Sequence, residues 1–222
     1  IDMVEAILKR APRVVGLGVY IWNIEEMTKV VAMLKRVAPE VIVVLGGPEV
    51  SYETDQQDII TNADYVITGW GDVSFPKICA DLIANKPPLE KIIAGEQPPL
   101  EQIKLPYTLY TDEDVAKRFI YVEASRGCPF KCEFCLSALD KTAWPFDVDE
   151  VLRQLDGLYQ RGARHFRFVD RTFNLKIATS IKILEFFLAR LDEKLFVHFE
   201  VIPDHLPDAL KAVIQKFPPE RL

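Results

Sequence analysis

Short apolar, β-branched runs alternate with helical patterns along nearly the whole chain, and this alternation admits little except parallel sheets covered by helices. Arg13–Tyr20 (RVVGLGVY) is expected to form a buried strand, Glu25–Val37 an amphipathic helix, and Val41–Leu45 a second strand ending in Gly46, Gly47 and Pro48. A polar helical stretch follows at about 53–61, then a strand at Tyr65–Thr68, the loop Gly69-Trp70-Gly71-Asp72 and a helix at about 74–84. Each strand runs into a glycine-bearing turn. In a doubly wound sheet such turns line the carboxyl edge, where ligands bind, and glycine lets backbone come close to a ligand. Tight strand-to-helix turns in any α/β domain would account for the same glycines.

Residues 87–118 break the pattern. Pro87, Pro88, Pro98, Pro99 and Pro106 are spread among charged and polar residues with no sustained period, which marks a semi-rigid linker between two domains, 1–86 and 119–222. From Phe119 the alternation resumes, with strands at Phe119–Ala124, His165–Val169 and Phe196–Val201, each followed by a helix, at 148–160, 177–191 and 207–216. The chain opens on Ile1 and closes on Pro218-Pro219-Glu220-Arg221-Leu222, and it is expected to be an excerpt of a longer protein.

Cys128, Cys132 and Cys135 fall in the run Ser-Arg-Gly-Cys-Pro-Phe-Lys-Cys-Glu-Phe-Cys, directly after the strand that opens the second domain. Intervals of four and three residues let one short loop fold around a single centre, and three thiolates with no fourth nearby leave a metal position open. The same spacing describes one face of a helix, but Gly127 and Pro129 punctuate a loop and no apolar stripe continues the period. A disulfide scaffold fits no better, since the fourth cysteine, Cys79, lies far upstream in an apolar helical pattern that reads as core. Zinc stays open as the alternative to iron and sulfur, although structural zinc takes four ligands, usually as two separated pairs, and His165, His198 and His205 are distant in sequence.

The loop resembles that of the radical S-adenosylmethionine enzymes: Cys, three residues, Cys, two residues, Cys, with an aromatic, here Phe134, before the last cysteine. The resemblance implies a 4Fe-4S cluster with Cys128, Cys132 and Cys135 on three irons and S-adenosylmethionine on the fourth, where one electron cleaves the sulfonium to a 5'-deoxyadenosyl radical. It also implies a partial (β/α)6 TIM-like barrel, of which residues 119–222 supply the first half; the strands that carry ribose and adenine contacts in relatives are missing. Chemistry in such a barrel sits at the carboxyl ends of the strands.

Tyr20-Ile21-Trp22-Asn23, Leu45-Gly46-Gly47-Pro48-Glu49 and Gly69-Trp70-Gly71-Asp72 resemble, in the same order, the three loops of the cobalamin-binding domain found upstream of many such enzymes. That domain is Rossmann-like (flavodoxin-like). It holds the corrin and its nucleotide tail at the carboxyl edge of the sheet, which implies cobalamin contacts from Tyr20, Trp22, Asn23, Gly46, Gly47, Pro48, Glu49, Gly69 and Gly71. The sequence departs from the pattern in three ways. Trp70 and Asp72 stand where relatives usually have Gly-Glu-Gly-Glu, the domain's first strand and helix are missing ahead of Ile1, and the Asp-x-His-x-x-Gly signature is absent, with no His before His165. Any cobalamin is therefore expected to take no histidine ligand from this domain.

Asp170 closes the second barrel strand where the family has a Gly-Gly-Glu-like turn, so its carboxylate is a candidate acceptor for the S-adenosylmethionine ammonium. Arg171 and Thr172 beside it read equally well as an exposed turn that caps a helix. Glu200, at the end of the third strand among aromatic and β-branched neighbours, is costly to bury unpaired and is expected to meet either the ligand or a core arginine such as Arg167. His198 reads as a satisfied barrel histidine, and no side chain is assigned a catalytic role.

With 222 residues, a net charge of −6 and no run approaching about 20 apolar residues, the chain is expected to belong to a cytoplasmic enzyme with no membrane span and no broad basic surface for nucleic acid. The resemblance, to the type of the anaerobic magnesium-protoporphyrin IX monomethyl ester oxidative cyclase among others, implies methyl transfer with cobalamin or oxidative cyclisation. The substrate would be a small molecule or peptide that the sequence does not identify, and the electron donor a protein such as flavodoxin or ferredoxin. Two other readings stand beside it. A tRNA methylthiotransferase-like modifier would normally bring three more cysteines and a basic module, neither of which is present in this sequence; a non-enzymatic zinc- or cobalamin-binding module would use the cysteines structurally.

Overall fold

The computed structural model describes residues 1–135 and 143–222, with His205 described by its backbone alone. They form two compact units, Ile1–Pro99 and Leu100–Leu222. Among the described residues, no helix is long and apolar enough to cross a membrane.

The first unit runs α1 (Asp2–Leu8), β1 (Val14–Gly18), α2 (Ile24–Val37), β2 (Ile42–Gly46), α3 (Asp58–Asn62), β3 (Tyr65–Thr68), α4 (Ser74–Ile83) and β4 (Ile92–Ala94). The four strands are parallel in the order β1-β2-β3-β4. Helices cover both faces of this sheet, which is why its strands are apolar at successive positions instead of alternating. On one face Val43, Leu45 and Val66 share a core with Val31 and Leu34 of α2, Ile59 of α3 and Val4 of α1. On the other, Val44 and Ile67 pack with Ile78 and Leu82 of α4. At the amino end of the sheet Asp64 accepts from the Val43 N–H at 2.7 Å and pairs with Lys35 Nζ at 2.9 Å, which ties α2 to the strands. The ion pair is partly solvated and contributes at most about 1 kcal/mol.

Several boundaries differ from those expected from sequence. A helix not expected from sequence, α1, occupies the start of the chain. β1 ends at Gly18, and Tyr20 lies in the following turn, closed by the Asn23 N–H to Tyr20 O bond at 2.9 Å. The stretch 53–61 is a 3₁₀ turn at Thr54–Gln56 and then the short α3, interrupted by Gln57 in extended backbone. The Gln57 amide donates to Glu49 O at 2.9 Å and Tyr52 O at 3.1 Å, and this anchoring prevents a continuous helix. The proline-rich stretch 87–118 is divided between the units: β4 completes the first sheet beside β3, and residues from 100 onward belong to the second unit.

The second unit runs α5 (Asp112–Lys117), β5 (Ile120–Val122), β6 (Ser125–Gly127), β7 (Ala143–Pro145), α6 (Val148–Gln160), β8 (His165–Phe168), α7 (Ile177–Leu188), β9 (Phe196–His198) and α8 (Asp208–Ile214). β5, β8 and β9 are parallel neighbours in that order, and β6 pairs antiparallel with β7. The strand expected from Phe119 to Ala124 is therefore only Ile120–Val122, and a separate short strand, β6, starts just after Ala124 a ribbon that leads into the cysteine loop. One face of the parallel sheet is buried through Ile120, Val122, Phe166, Phe168 and Val197. Phe166 meets Phe187 of α7 with ring centroids 5.1 Å apart. The alternate residues Tyr121, His165, Arg167 and Val169 are exposed.

The outer edge of β5 has no neighbouring strand among the described residues. Two tyrosines from the stretch read as a linker take that place. The Tyr107 hydroxyl donates to Glu123 O at 3.1 Å and accepts from Glu123 N–H at 2.7 Å, and Tyr110 does the same for Tyr121 at 2.9 and 3.1 Å. Burial pushes both phenols up, toward the neutral form, and at Tyr107 the neighbouring Glu123 charge adds to it. Removing the Tyr107 hydroxyl strips a partly buried N–H and C=O of their partner at one stroke. Tyr107→Phe is expected to destabilise the second unit by about 1–3 kcal/mol; a denaturation midpoint equal to that of the parent protein would contradict this.

Candidate functional site

The carboxyl ends of β1, β2 and β3 open into a groove of about 460 Å³ lined by the glycines at 16, 18, 46, 47, 69 and 71, with Asp72 and Phe75. Leu17, Val44, Leu45 and Ile67 complete the wall. At Gly69 and Gly71 nothing lies within 4 Å of where a Cβ would stand, so a side chain there would project into open groove. Gly47 is glycine for a different reason: φ is +112° and a Cβ would drive into the Val19 backbone, 2.9 Å from its nitrogen. Gly95, just past β4, presses against the Trp70 carbonyl in the same way and donates to Thr68 O at 2.7 Å.

Side chains fix the three loops to one another. Asn23 accepts from the Tyr20 N–H at 2.8 Å and donates to Gly18 O at 3.0 Å, so its amide is spent on shaping the first loop. The Ser51 hydroxyl donates to Gly47 O at 2.8 Å and accepts from the Gly69 N–H at 3.0 Å, which holds the second loop to the third. Pro48 and Glu49 begin a 3₁₀ turn, Pro48–Val50, that starts this arrangement. Tyr20 and Trp22 stack with centroids 4.6 Å apart, and Trp22 is 74% exposed. Of the residues expected from sequence, Gly46, Gly47, Gly69 and Gly71 line the groove together, while Tyr20, Trp22, Asn23, Pro48 and Glu49 flank it on the loops. Ser51 and Gly95 escaped the sequence reading. Gly95 carried a signal, an isolated glycine ending the strand-like run Ile92-Ile93-Ala94.

In the second unit the cysteine loop leaves β6. Cys128 is buried, Cys132 exposed and Cys135 half-buried, and none forms a disulfide. The Cys135 N–H donates to Cys132 O at 3.1 Å, a turn that puts these two thiols on one short bend. Phe134 is 94% exposed. Among the described residues no three of His, Cys, Asp and Glu gather about a point that one metal ion could occupy. A cluster does not ask for that convergence, because each thiolate binds a different iron. Free thiols in this number on one loop, with the first fixed in the fold and the others open, suit such a cluster.

Asp170, at the end of β8, is 2% exposed. Its carboxylate accepts from the Ala124 N–H at 2.9 Å and from Ser125 Oγ at 2.6 Å, which pins the junction between β5 and β6. Burial pushes its carboxyl up to about 6, against these donors, which favour the charged form. It braces the base of the loop, and its charge is already met by protein donors. Below it Glu123 and Arg126 pair, with Nε to Oε1 at 3.1 Å, across the same junction. Thr172 is buried, not an exposed turn residue, and its Oγ1 lies 3.4 Å from Cys128 Sγ. Arg171 is exposed. The expectation for Glu200 is corrected: β9 stops at His198 and Glu200 lies exposed beyond it, so no burial cost arises. Its carbonyl is the group built into the fold, accepting from the Phe173 N–H at 2.8 Å. Arg167 stands over the Tyr121 ring, 5.9 Å from its centroid. His198 Nδ1 is buried without a partner among the described residues, so the histidine is not the satisfied core residue expected. Cys79 sits half-buried in α4, where burial pushes its thiol up.

Residues 1–78 match the family described as the B12 binding domain. The chain thus carries a B12-binding domain of Rossmann-like fold, and it is homologous to cobalamin-dependent radical S-adenosylmethionine methyltransferases. Over 206 residues it is 28% identical to the uncharacterized methyltransferase PH0819 of Pyrococcus horikoshii, a match that covers 82% of this chain and 44% of that protein. Over 200 residues it is 24% identical to the cobalamin-dependent radical SAM methyltransferase TokK of Streptomyces tokunonensis, covering 78% of this chain and 29% of TokK. The fold is shared with the radical S-adenosylmethionine methyltransferase TsrM of Kitasatospora setae, with a TM-score of 0.71 at 14% identity over 97% of this chain and 48% of TsrM. The chain therefore spans less than half the length of each of these relatives.

Proposed function

We propose that this chain is the cofactor-holding part of a cobalamin-dependent radical S-adenosylmethionine methyltransferase. The observation that carries the reading is the presence, in one chain, of a glycine-walled groove at the strand ends of a B12-binding domain and a three-thiol loop at the strand ends of a barrel-type sheet. The names of the relatives favour methyl transfer over oxidative cyclisation. TsrM has been solved with cobalamin and a [4Fe-4S] cluster bound, and also with a S-adenosylmethionine analogue, which supports the same cofactors here.

When bound, the cluster would supply the electron that cleaves S-adenosylmethionine to the 5'-deoxyadenosyl radical and the cobalamin would carry the methyl group. Cys128, Cys132 and Cys135 would hold the cluster. The backbone at Gly69 and Gly71 would lie against cobalamin, with Ser51 setting the spacing between the second and third loops. Asp170 keeps the thiol loop at the strand ends. An electron-donor protein of the flavodoxin or ferredoxin type would complete the system, acting on a substrate held by parts of the protein beyond this chain.

The test is metal analysis and spectroscopy of the full-length protein, purified without oxygen and reconstituted. About four irons and four sulfides per chain are expected, together with bound cobalamin whose paramagnetic resonance spectrum shows no nitrogen splitting from a protein histidine, since no His precedes His165. Zinc without sulfide would overturn the reading, and histidine nitrogen splitting would overturn the account of the groove.

A further inference from the structure

A cysteine sulfur that is buried and hydrogen-bonded differs chemically from one that is not. Of the three thiols in the loop, Cys128 alone is buried, at 8% exposure, and the Thr172 hydroxyl lies 3.4 Å from its sulfur. The residues around that hydroxyl leave it little freedom. On one side Asp170 is tied to Ala124 and Ser125. On the other, Asn174 donates to Ile202 O at 2.8 Å and accepts from Ile202 N–H at 2.9 Å, and Phe173 N–H is bound to Glu200 O at 2.8 Å. Thr172 itself is 4% exposed. The segment 170–174 is thus fixed at both ends to neighbouring strands or their extensions, with the hydroxyl held toward the loop.

We propose that Thr172 is a positioning residue for Cys128 that also tunes the potential of the cluster bound there, by donating a hydrogen bond to the ligating sulfur. This rests on the reading of the loop as a cluster site. A ligating cysteine is deprotonated, so its sulfur can only accept and the threonine O–H must donate. A donor aimed at a thiolate withdraws negative charge from it, which stabilises the reduced cluster and raises its reduction potential. The other two ligands sit on the open bend, so among the described residues this hydroxyl bears on one ligand of the three. The two properties are separable, because valine keeps the shape of threonine and lacks the donor, while serine keeps the donor and loses the methyl.

The experiment uses the reconstituted full-length protein and follows a redox titration of the cluster by paramagnetic resonance, with iron and sulfide content measured alongside. Thr172→Val is expected to retain the cluster and to be harder to reduce by about tenfold in equilibrium constant, a downward shift of about 59 mV for one electron. Thr172→Ser is expected to titrate like the parent. Equal potentials for all three proteins would overturn the proposal, as would valine and serine variants shifted alike. If the valine variant fails to assemble a cluster, assembly in the serine variant at the parental potential supports the donor role, and failure of both overturns it. A parent protein that holds no iron–sulfur cluster would refute the underlying cofactor reading instead, so the two failures are distinct.

Discussion

Replacing Cys132 with alanine in the full-length protein is expected to reduce reconstituted iron from about four per chain to background and to abolish S-adenosylmethionine cleavage, while the first unit keeps its thermal transition. The basis is local. Cys132 is exposed, lies outside both cores and shares with Cys135 only a backbone turn, so its loss removes a ligand without opening a cavity. A four-iron cluster with one protein ligand missing has two irons without protein ligands, and the site loses the geometry that leaves a single vacancy for substrate. Iron and sulfide analysis with circular dichroism on the same samples decides the matter. Parental cluster content in the variant would remove Cys132 from the ligand set.

Gly47→Ala is expected to have the largest effect on the first unit, a loss of about 3 kcal/mol or more with cobalamin binding falling in step. The residue has φ +112° and ψ 168°, a region open essentially to glycine, and the added methyl would meet main chain at Val19, which has nowhere to go because its N–H is bound to Gly46 O at 2.7 Å. Gly71→Ala provides the contrast. Its Cβ would meet nothing within 4 Å, so the thermal transition is expected to hold while the methyl intrudes on the groove and weakens cobalamin binding. Calorimetry and cobalamin titration of both variants separate a glycine needed for the fold from one needed for the ligand. A Gly47→Ala protein with parental stability would refute the first claim.

Much of the architecture was legible because it is written in periodicity. The strands at β1, β2, β3, β5, β8 and β9 and the helices α2, α4, α6, α7 and α8 emerge from apolar spacing, since each buries enough of one face to impose it. β4 and β7 were not legible: neither has a buried residue, unlike the equally short β5 and β9, and β7 is Ala-Trp-Pro. Such strands form because a partner edge is available, which is information held elsewhere in the chain. The cysteine trio and the glycine loops could be read directly, being chemistry confined to one segment. Asp170 was found by its position at a strand end, but its neighbours across the sheet decide what it does, and no local pattern reveals Ala124 and Ser125 as its partners. Glu200 failed for a related reason, since the strand was extended past His198 and burial was inferred from neighbours in sequence that are not its neighbours in space.

The paired tyrosines on β5 close one border of its sheet. Backbone groups of Tyr121 and Glu123 that a further strand would need are already engaged by Tyr110 and Tyr107. At the opposite border, the Val197 N–H of β9 donates to Arg221 O at 3.0 Å, so main chain rather than a side chain arrives there. The two borders of the sheet are therefore closed by different means, side-chain hydroxyls at β5 and main chain at β9. At the edge of β5 two phenol hydroxyls thus do the work of a neighbouring strand, each closing one donor and one acceptor of the main chain.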